Sequence, residues 1–268
     1  MSGHAPRIRP AAVAGTFYPS DPHELHGLVR ACITGALLPD DDAGDPKALV
    51  VPHAGLVFSG PVAASAYLRL LPIAERITRV VLLGPSHRVA FRGIAASSAD
   101  AFATPLGLIP IDTAAVEAAL ELPCVAVLDD AHAREHSLEV QLPFLQSVVP
   151  HASLVPFVVG DAATAEVGEL LERLWGGPET LIVISTDLSH FHPQDQAMVL
   201  DRRTAAAIVA ARPDDLNGQD ACGVRPLRGL LQEVRDHGMA IELIDLRTSA
   251  DTAGDPDRVV GYGAFAVV

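Results

Sequence analysis

Three runs of apolar β-formers each give way to polar, metal-capable side chains, and that pattern narrows the folds open to the chain. ALVVPHAG carries His53, ITRVVLLGPSH carries His87, and ETLIVISTDLSH carries Asp187 and His190. Unbroken apolar runs are the mark of strands buried on both faces, as in the parallel sheets of α/β proteins. In such sheets ligands bind just beyond the carboxyl ends of the strands. The sequence therefore predicts that His53, His87, Asp187 and His190 gather along one sheet edge, around one cleft.

Strands are expected at Ala48–Val51, Arg79–Leu83, Gly93–Ala96, Ser153–Val159, Leu181–Ser185, Glu242–Leu246 and Val259–Val267. Helical spacing of apolar residues predicts helices over Glu24–Leu38, Val62–Leu71, Thr113–Leu120, Ser137–Val148, Thr164–Trp175, Gln196–Ala211 and Pro226–His237. That alternation reads as an α/β fold with a central, mainly parallel or mixed sheet flanked by helices. Pro39 to Pro46 reads as a solvated loop, and TPLGLIPID as a hairpin turning at Gly107. No internal repeat or break in composition divides the 268 residues, and 49% hydrophobic content suffices for a large core. Residues 1–268 are expected to form a single domain.

Aromatic residues make up only 4% of the chain, which leaves few anchors for a large protein interface. A net charge of −14, with no dense Lys/Arg cluster, opposes phosphate backbones and anionic lipid. Neither nucleic acid nor a membrane is an expected partner. MSGHAPRIRPAAVAG lacks a secretory apolar stretch, and no run approaches the roughly 20 apolar residues of a bilayer span. Three cysteines, Cys32, Cys124 and Cys222, fit a reducing compartment better than a disulfide framework. A cytoplasmic protein is expected.

His53 lies in PHAGLVFSG, where Pro52 ends the strand and Gly55 and Gly60 permit close approach of backbone or ligand. His87 follows GPS at a topologically equivalent position. Two imidazoles alone rarely hold a catalytic ion, so a third ligand is needed. Cys222 in DACGVRP is the best candidate, since it opens a predicted helix whose N-terminus favours thiolate. Cys32 and Cys124 read as buried apolar cysteines. Asp187 and His190 in STDLSH form the chain's most acid/base-like pair, with the carboxylate orienting the imidazole, although Asp187 also fits a helix cap. Glu135 and His136 in REHSLEVQLPFL suit either support for a ligand or substrate, or simple capping of a helix.

These segments together resemble the Memo family, the mediator of ErbB-driven cell motility and its prokaryotic relatives called AmmeMemoRadiSam system protein B. The resemblance spans most of the chain: GTFYP (15–19), VPHAG (51–55), SG (59–60), GPSH (84–87), EHSLEVQLPFLQ (135–146), STDLSH (185–190), CG (222–223) and VGYGAFA (260–266). It implies a fold like that of the class III extradiol dioxygenases, whose Fe(II) is held by two histidines and a glutamate. By that resemblance His53 and His87 match the histidine ligands, Cys222 stands where the dioxygenases use glutamate, and His190 replaces their acid/base histidine. A softer thiolate turns the expected ion toward copper or thiolate-bound iron, with zinc as a further option. The family name also implies association with an AMMECR-type protein and a radical S-adenosylmethionine enzyme, and animal members are associated with phosphotyrosine peptides. Here Leu56 and Phe58 stand where relatives often carry tyrosines, so two potential ligand-binding hydroxyls are missing. The expected function is a metal-dependent redox protein; the alternatives are a zinc-dependent hydrolase and a non-catalytic module that binds a peptide or partner protein in a relic cleft.

Overall fold

The computed structural model describes residues 5–38 and 44–268. The elements begin with β1 (Ile8–Arg9), α1 (Pro22–Thr34), β2 (Ala48–Val51), α2 (Leu56–Leu68), β3 (Arg79–Pro85), β4 (Ile94–Ala96), β5 (Ala101–Thr104) and β6 (Gly107–Pro110). They continue with α3 (Thr113–Ala119), β7 (Val125–Val127), α4 (Asp129–Ala133), α5 (Leu142–Val148), β8 (Ser153–Val159), α6 (Thr164–Leu174) and β9 (Thr180–Ser185). The last third adds β10 (His190–His192), α7 (Gln194–Val209), α8 (Val224–Asp236), β11 (Ile241–Thr248) and β12 (Val259–Val267).

The main sheet runs β10-β12-β2-β9-β3-β8-β4-β7, with β11 on the other pairing of β12. Its centre is parallel: Leu49 pairs with Val183, and Val81 lies between Ile182 and Val155. Residues of β2, β3, β8 and β9 are buried almost throughout, which is why these strands read as unbroken apolar runs. β12 is antiparallel to β2 and β4 is antiparallel to β8, so the sheet is mixed. The expected α/β architecture is the one found. β5 and β6 form the anticipated hairpin in a small second sheet with β1, and Gly107 pairs with Thr104 beside its turn.

Three helices depart from their sequence-based bounds by four residues or more at one end, the others by no more than two. α1 ends at Thr34 because Gly35 closes it, while Asp21 caps its start by accepting from the His23 and Glu24 amides. α2 starts at Leu56, before Pro61, which costs the helix one internal hydrogen bond. The predicted helix Ser137–Val148 shrinks to α5, since its first residues bond elsewhere: Ser137 Oγ donates to the Pro85 carbonyl and Gln141 Nε2 to the Pro52 carbonyl. Residues 39–43 of the expected loop Pro39–Pro46 lie outside the described residues.

Glu139 ties the N-terminal arm to the segment before α5. Its buried carboxylate accepts from Arg9, from the amides of Ala12 and Val13, and from the Tyr18 hydroxyl. Arg9 is itself buried and also donates to the carbonyls of His132 and Glu135. His132 donates Nε2–H to the Ala95 carbonyl, its Nδ1 has no partner, and burial pulls its pKa down to about 4. The unfolded chain takes up that proton near pH 6.5, so stability falls as pH drops from 6.5 toward 4, by roughly 3 kcal/mol for this ring. Urea unfolding at both ends of that window is expected to give a shallower acid loss for His132→Gln than for the wild type. Parallel pH dependences in the two proteins would refute the assignment.

Candidate metal centre

β2, β9 and β3 lie side by side and parallel, so their carboxyl ends share one edge. The chain leaves β2 through Pro52 to His53, leaves β3 through Ser86 to His87, and leaves β9 through Thr186 to Asp187. A fourth segment, just before α5, adds His136. One nitrogen from each of His53, His87 and His136 lies within 4.8 Å of the others. The ring centroids are 5.2 Å apart for His53 and His87, 5.4 Å for His53 and His136, and 4.5 Å for His87 and His136.

The surrounding hydrogen bonds fix the tautomers of two of these rings. Tyr67 OH donates to Gln141 Oε1, and Gln141 Nε2 donates to Ser185 Oγ, whose own proton goes to the Ser137 carbonyl. Ser185 Oγ therefore accepts from His53 Nδ1 at 2.9 Å, which leaves His53 Nε2 with a free lone pair. Burial, followed by the neighbouring imidazoles, holds His53 well below the usual imidazole range, so the ring is neutral. His87 Nδ1 lies 2.9 Å from Glu135 Oε1. Burial alone would raise the Glu135 pKa, but hydrogen bonds from the His87 side chain and from the His87 and Ser137 amides hold it at about 2. A carboxylate can only accept, so His87 carries its proton on Nδ1 and bares Nε2. Both rings are thus prepared as metal-ligating histidines are, with the far nitrogen anchored.

His136 is set by the same carboxylate, which accepts its backbone amide at 2.9 Å. Its Nδ1 is buried without a hydrogen-bond partner, Glu135 Oε1 standing 3.3 Å away outside hydrogen-bonding geometry. Burial and then the charge of His87 lower its pKa to about 4. Phe17, from the arm fastened by Glu139, covers the ring with centroids 4.6 Å apart. Three clustered imidazoles, two of them (His53 and His136) held neutral by burial and one with an unpartnered buried nitrogen, are a donor set that suits a transition-metal ion.

Cys222 Sγ lies 3.3 Å from His53 Nε2, yet the thiol is not among the three mutually close donors. In the metal-free chain burial and then the Asp187 charge push the Cys222 pKa up to about 12, outweighing the N-terminus of α8. The neutral S–H donates to the bare Nε2 of His53. Gly223 is what lets the thiol come so close, because a Cβ there would stand 2.6 Å from Thr186 Cβ. Cys222 also contributes to the wall of a cavity of about 500 Å3 bounded by Ser86, Phe91, Asn217 and Arg225.

Asp187 is buried, and its Oδ1 accepts the His53 backbone amide at 2.7 Å. Burial raises its pKa to about 6 despite that hydrogen bond. No hydrogen bond joins it to His190 among the described residues, so it positions the His53 backbone rather than the His190 ring; a helix-cap role is likewise absent. His190 is half-buried and near enough for its charge to act on both His53 and Asp187. It is placed by an irregular pairing of β10 with β12, where Phe191 adopts a left-handed φ of 62° and stacks under the Arg258 guanidinium. Such a conformation costs on the order of 1 kcal/mol in a non-glycine residue.

The sequence reading placed His53, His87, Asp187 and His190 on one edge, and the structure brings all four there. It missed two things. His136 was read as a supporting residue but stands among the donors, and Ser185 and Gln141, which orient His53, carried no signal beyond their place in the strand and helix patterns. Leu56 is fully buried in the core, whereas Phe58 is half-buried. Among the described residues no helix is long and apolar enough to cross a membrane.

Comparison with known proteins places these features in a lineage. A MEMO1 family protein of Methanopyrus kandleri is 38% identical, covering 96% of this chain and 98% of its own. MEMO1 family proteins of Aquifex aeolicus and Ignicoccus hospitalis are 35% and 36% identical, each covering 96% of this chain and 97% of its own. The crystal structure of an uncharacterized protein from Escherichia coli K12 superposes with a TM-score of 0.54 at 15% identity, covering 81% of this chain and 98% of that one, a likeness of fold alone. The family model described as Memo-like protein matches residues 9–266, and the chain belongs to that family.

Proposed function

We propose that the chain is a metal-dependent redox protein of dioxygenase-like type, in which His53, His87 and His136 hold one iron or copper ion. The observation that carries this reading is the convergence of three imidazoles, two of them anchored through Nδ1–H to Ser185 and Glu135 so that Nε2 is the nitrogen left for an ion. An ion held there would supply Lewis acidity and one-electron chemistry that no side chain provides. The family resemblance and the soft sulfur beside the donors favour iron or copper over a purely hydrolytic ion.

The chain's own residues have distinct tasks in this reading. Cys222 guards His53: its proton must leave Nε2 before that lone pair is free, and the Asp187 carbonyl, 3.7 Å from Sγ, is the alternative acceptor. Asp187 holds the His53 backbone, and His190, on the open side of the cleft, exchanges protons with substrate. Glu135 keeps His87 and His136 in register. Exposure of His87 and His190 marks the side from which substrate arrives, while Phe17 keeps water from His136.

Protein purified without added metal is expected to carry stoichiometric iron or copper, with optical and paramagnetic-resonance spectra that respond to dithionite and to oxygen. A redox-silent ion such as zinc at full occupancy would transfer the reading to a zinc-dependent hydrolase, since three imidazoles also suit zinc. Failure of iron, copper and zinc alike to bind would leave the relic cleft of a binding module.

A further inference from the structure

Helices α6 and α8 lie against each other with glycine at the contact. A Cβ at Gly229 would stand 2.3 Å from Val167 Cγ1, and one at Gly168 would stand 2.7 Å from Glu233 Oε1. Larger residues would force the helices apart, so these glycines bring Glu172 of α6 against Glu233 of α8 and against His237, which follows α8. An oxygen of each carboxylate and a nitrogen of His237 all lie within 4.8 Å of one another. His237 Nε2 is 2.8 Å from Glu172 Oε2 and 3.9 Å from Glu233 Oε2.

Glu233 is the informative member. Its side chain is 7% exposed, and among the described residues no donor hydrogen-bonds either oxygen; the groups nearest it are the Glu172 carboxylate and His237 Nε2, the latter 3.9 Å away and beyond hydrogen-bond reach. An anion taken from water without a hydrogen-bond donor is costly. Burial, then the charges of Glu172 and Asp236, push its carboxyl up, and the nearby His237 offsets them only in part. Glu172 and His237 are 63% and 32% exposed, so the cluster opens to solvent on one side.

We propose that Glu172, Glu233 and His237 form a second cation site, distinct from the histidine cluster, which takes Zn2+ and thereby clamps α6 to α8. One imidazole nitrogen with two carboxylate oxygens is a borderline donor set that suits zinc, with water completing the shell on the open side. Three protein donors including a nitrogen are a poor match for calcium or magnesium, which favour all-oxygen shells. The desolvated Glu233 carboxylate supplies the strongest attraction, and the ion supplies the partner it lacks.

The site carries its own reporter. His237 stacks on Trp175, the only tryptophan of the chain, with centroids 4.2 Å apart and rings 1° from parallel. Metal-stripped full-length protein titrated with zinc chloride is expected to change its tryptophan emission saturably. His87→Ala, which disables the histidine cluster, is expected to keep that response. Glu233→Gln is expected to lose it, and the exposed Glu172→Gln, which leaves the buried contacts in place, to move its midpoint to about tenfold higher zinc or beyond. Emission indifferent to zinc in the wild type would overturn the site, as would a Glu172→Gln titration superimposable on the wild-type curve. Loss of the response in His87→Ala would overturn its independence from the histidine cluster. Because the readout is Trp175 emission, failure of the proposed redox function leaves these outcomes unchanged.

Discussion

Glu139→Ala is expected to destabilise the metal-free protein by about 4 kcal/mol, because it removes one partner of a buried ion pair and leaves the other uncompensated. Arg9, 6% exposed, would keep its bonds to the His132 and Glu135 carbonyls but lose the carboxylate paired with it. The amides of Ala12 and Val13 and the hydroxyl of Tyr18 would lose their acceptor in the same stroke. With an unfolding entropy of roughly 2.1 cal/mol/K per residue, a loss of about 4 kcal/mol lowers Tm by about 7 °C in a chain of 268 residues. Replacing both charges, as in Arg9→Met with Glu139→Leu, is expected to recover part of that loss, since no charge is then stranded. A Tm within about 2 °C of wild type for Glu139→Ala would mean that the arm is held by its apolar contacts alone. The arm also carries Phe17 over His136, so Glu139 reaches the candidate centre through the fold.

Much of the architecture was written locally. The central strands are buried on both faces, and that condition leaves an unambiguous trace: ALVV, RVVLL and TLIVIS admit few polar residues until the sheet ends. The same trace located His53, His87 and Asp187, because a polar residue directly after such a run sits at the carboxyl edge. What escaped was set by distant partners. Ser137–Val148 has helical spacing, but its first turns are drawn out by bonds to Pro85, Pro52 and the N-terminal arm. β1, β7 and β10 are two or three residues long, too short for any periodicity. His136 looked like one side chain of a helix cap, and only the fold reveals that the segment turns it toward His53 and His87. Cys222 shows the limit in another way: a helix N-terminus is visible in sequence, whereas the burial and the Asp187 charge that outweigh it are not.

Glu135→Gln is expected to weaken metal binding by about 10–100-fold, the usual cost of removing a carboxylate that anchors a ligating histidine. Glu135 accepts four N–H groups: the amides of His87, His136 and Ser137, and His87 Nδ1. A glutamine offers one accepting oxygen and an amide group that only donates: placed at the Oε2 position that NH2 meets the His87 amide donor to donor, and placed at Oε1 it meets His87 Nδ1–H and the amides of His136 and Ser137. The first orientation displaces the backbone that carries the ring; the second makes the ring give up its anchor or change tautomer, which places a proton on the nitrogen that the ion needs. Cys222→Ser is expected to behave differently. The three imidazoles are untouched, and a hydroxyl replaces the thiol that caps His53 Nε2, so affinity should stay within about threefold of wild type if sulfur is a neighbour rather than a ligand. Isothermal titration of metal-stripped wild type, Glu135→Gln and Cys222→Ser with one ion distinguishes the two arrangements. If Cys222→Ser loses more affinity than Glu135→Gln, the thiol moves into the donor set when the ion binds, and His136 is displaced from the role that its position here gives it.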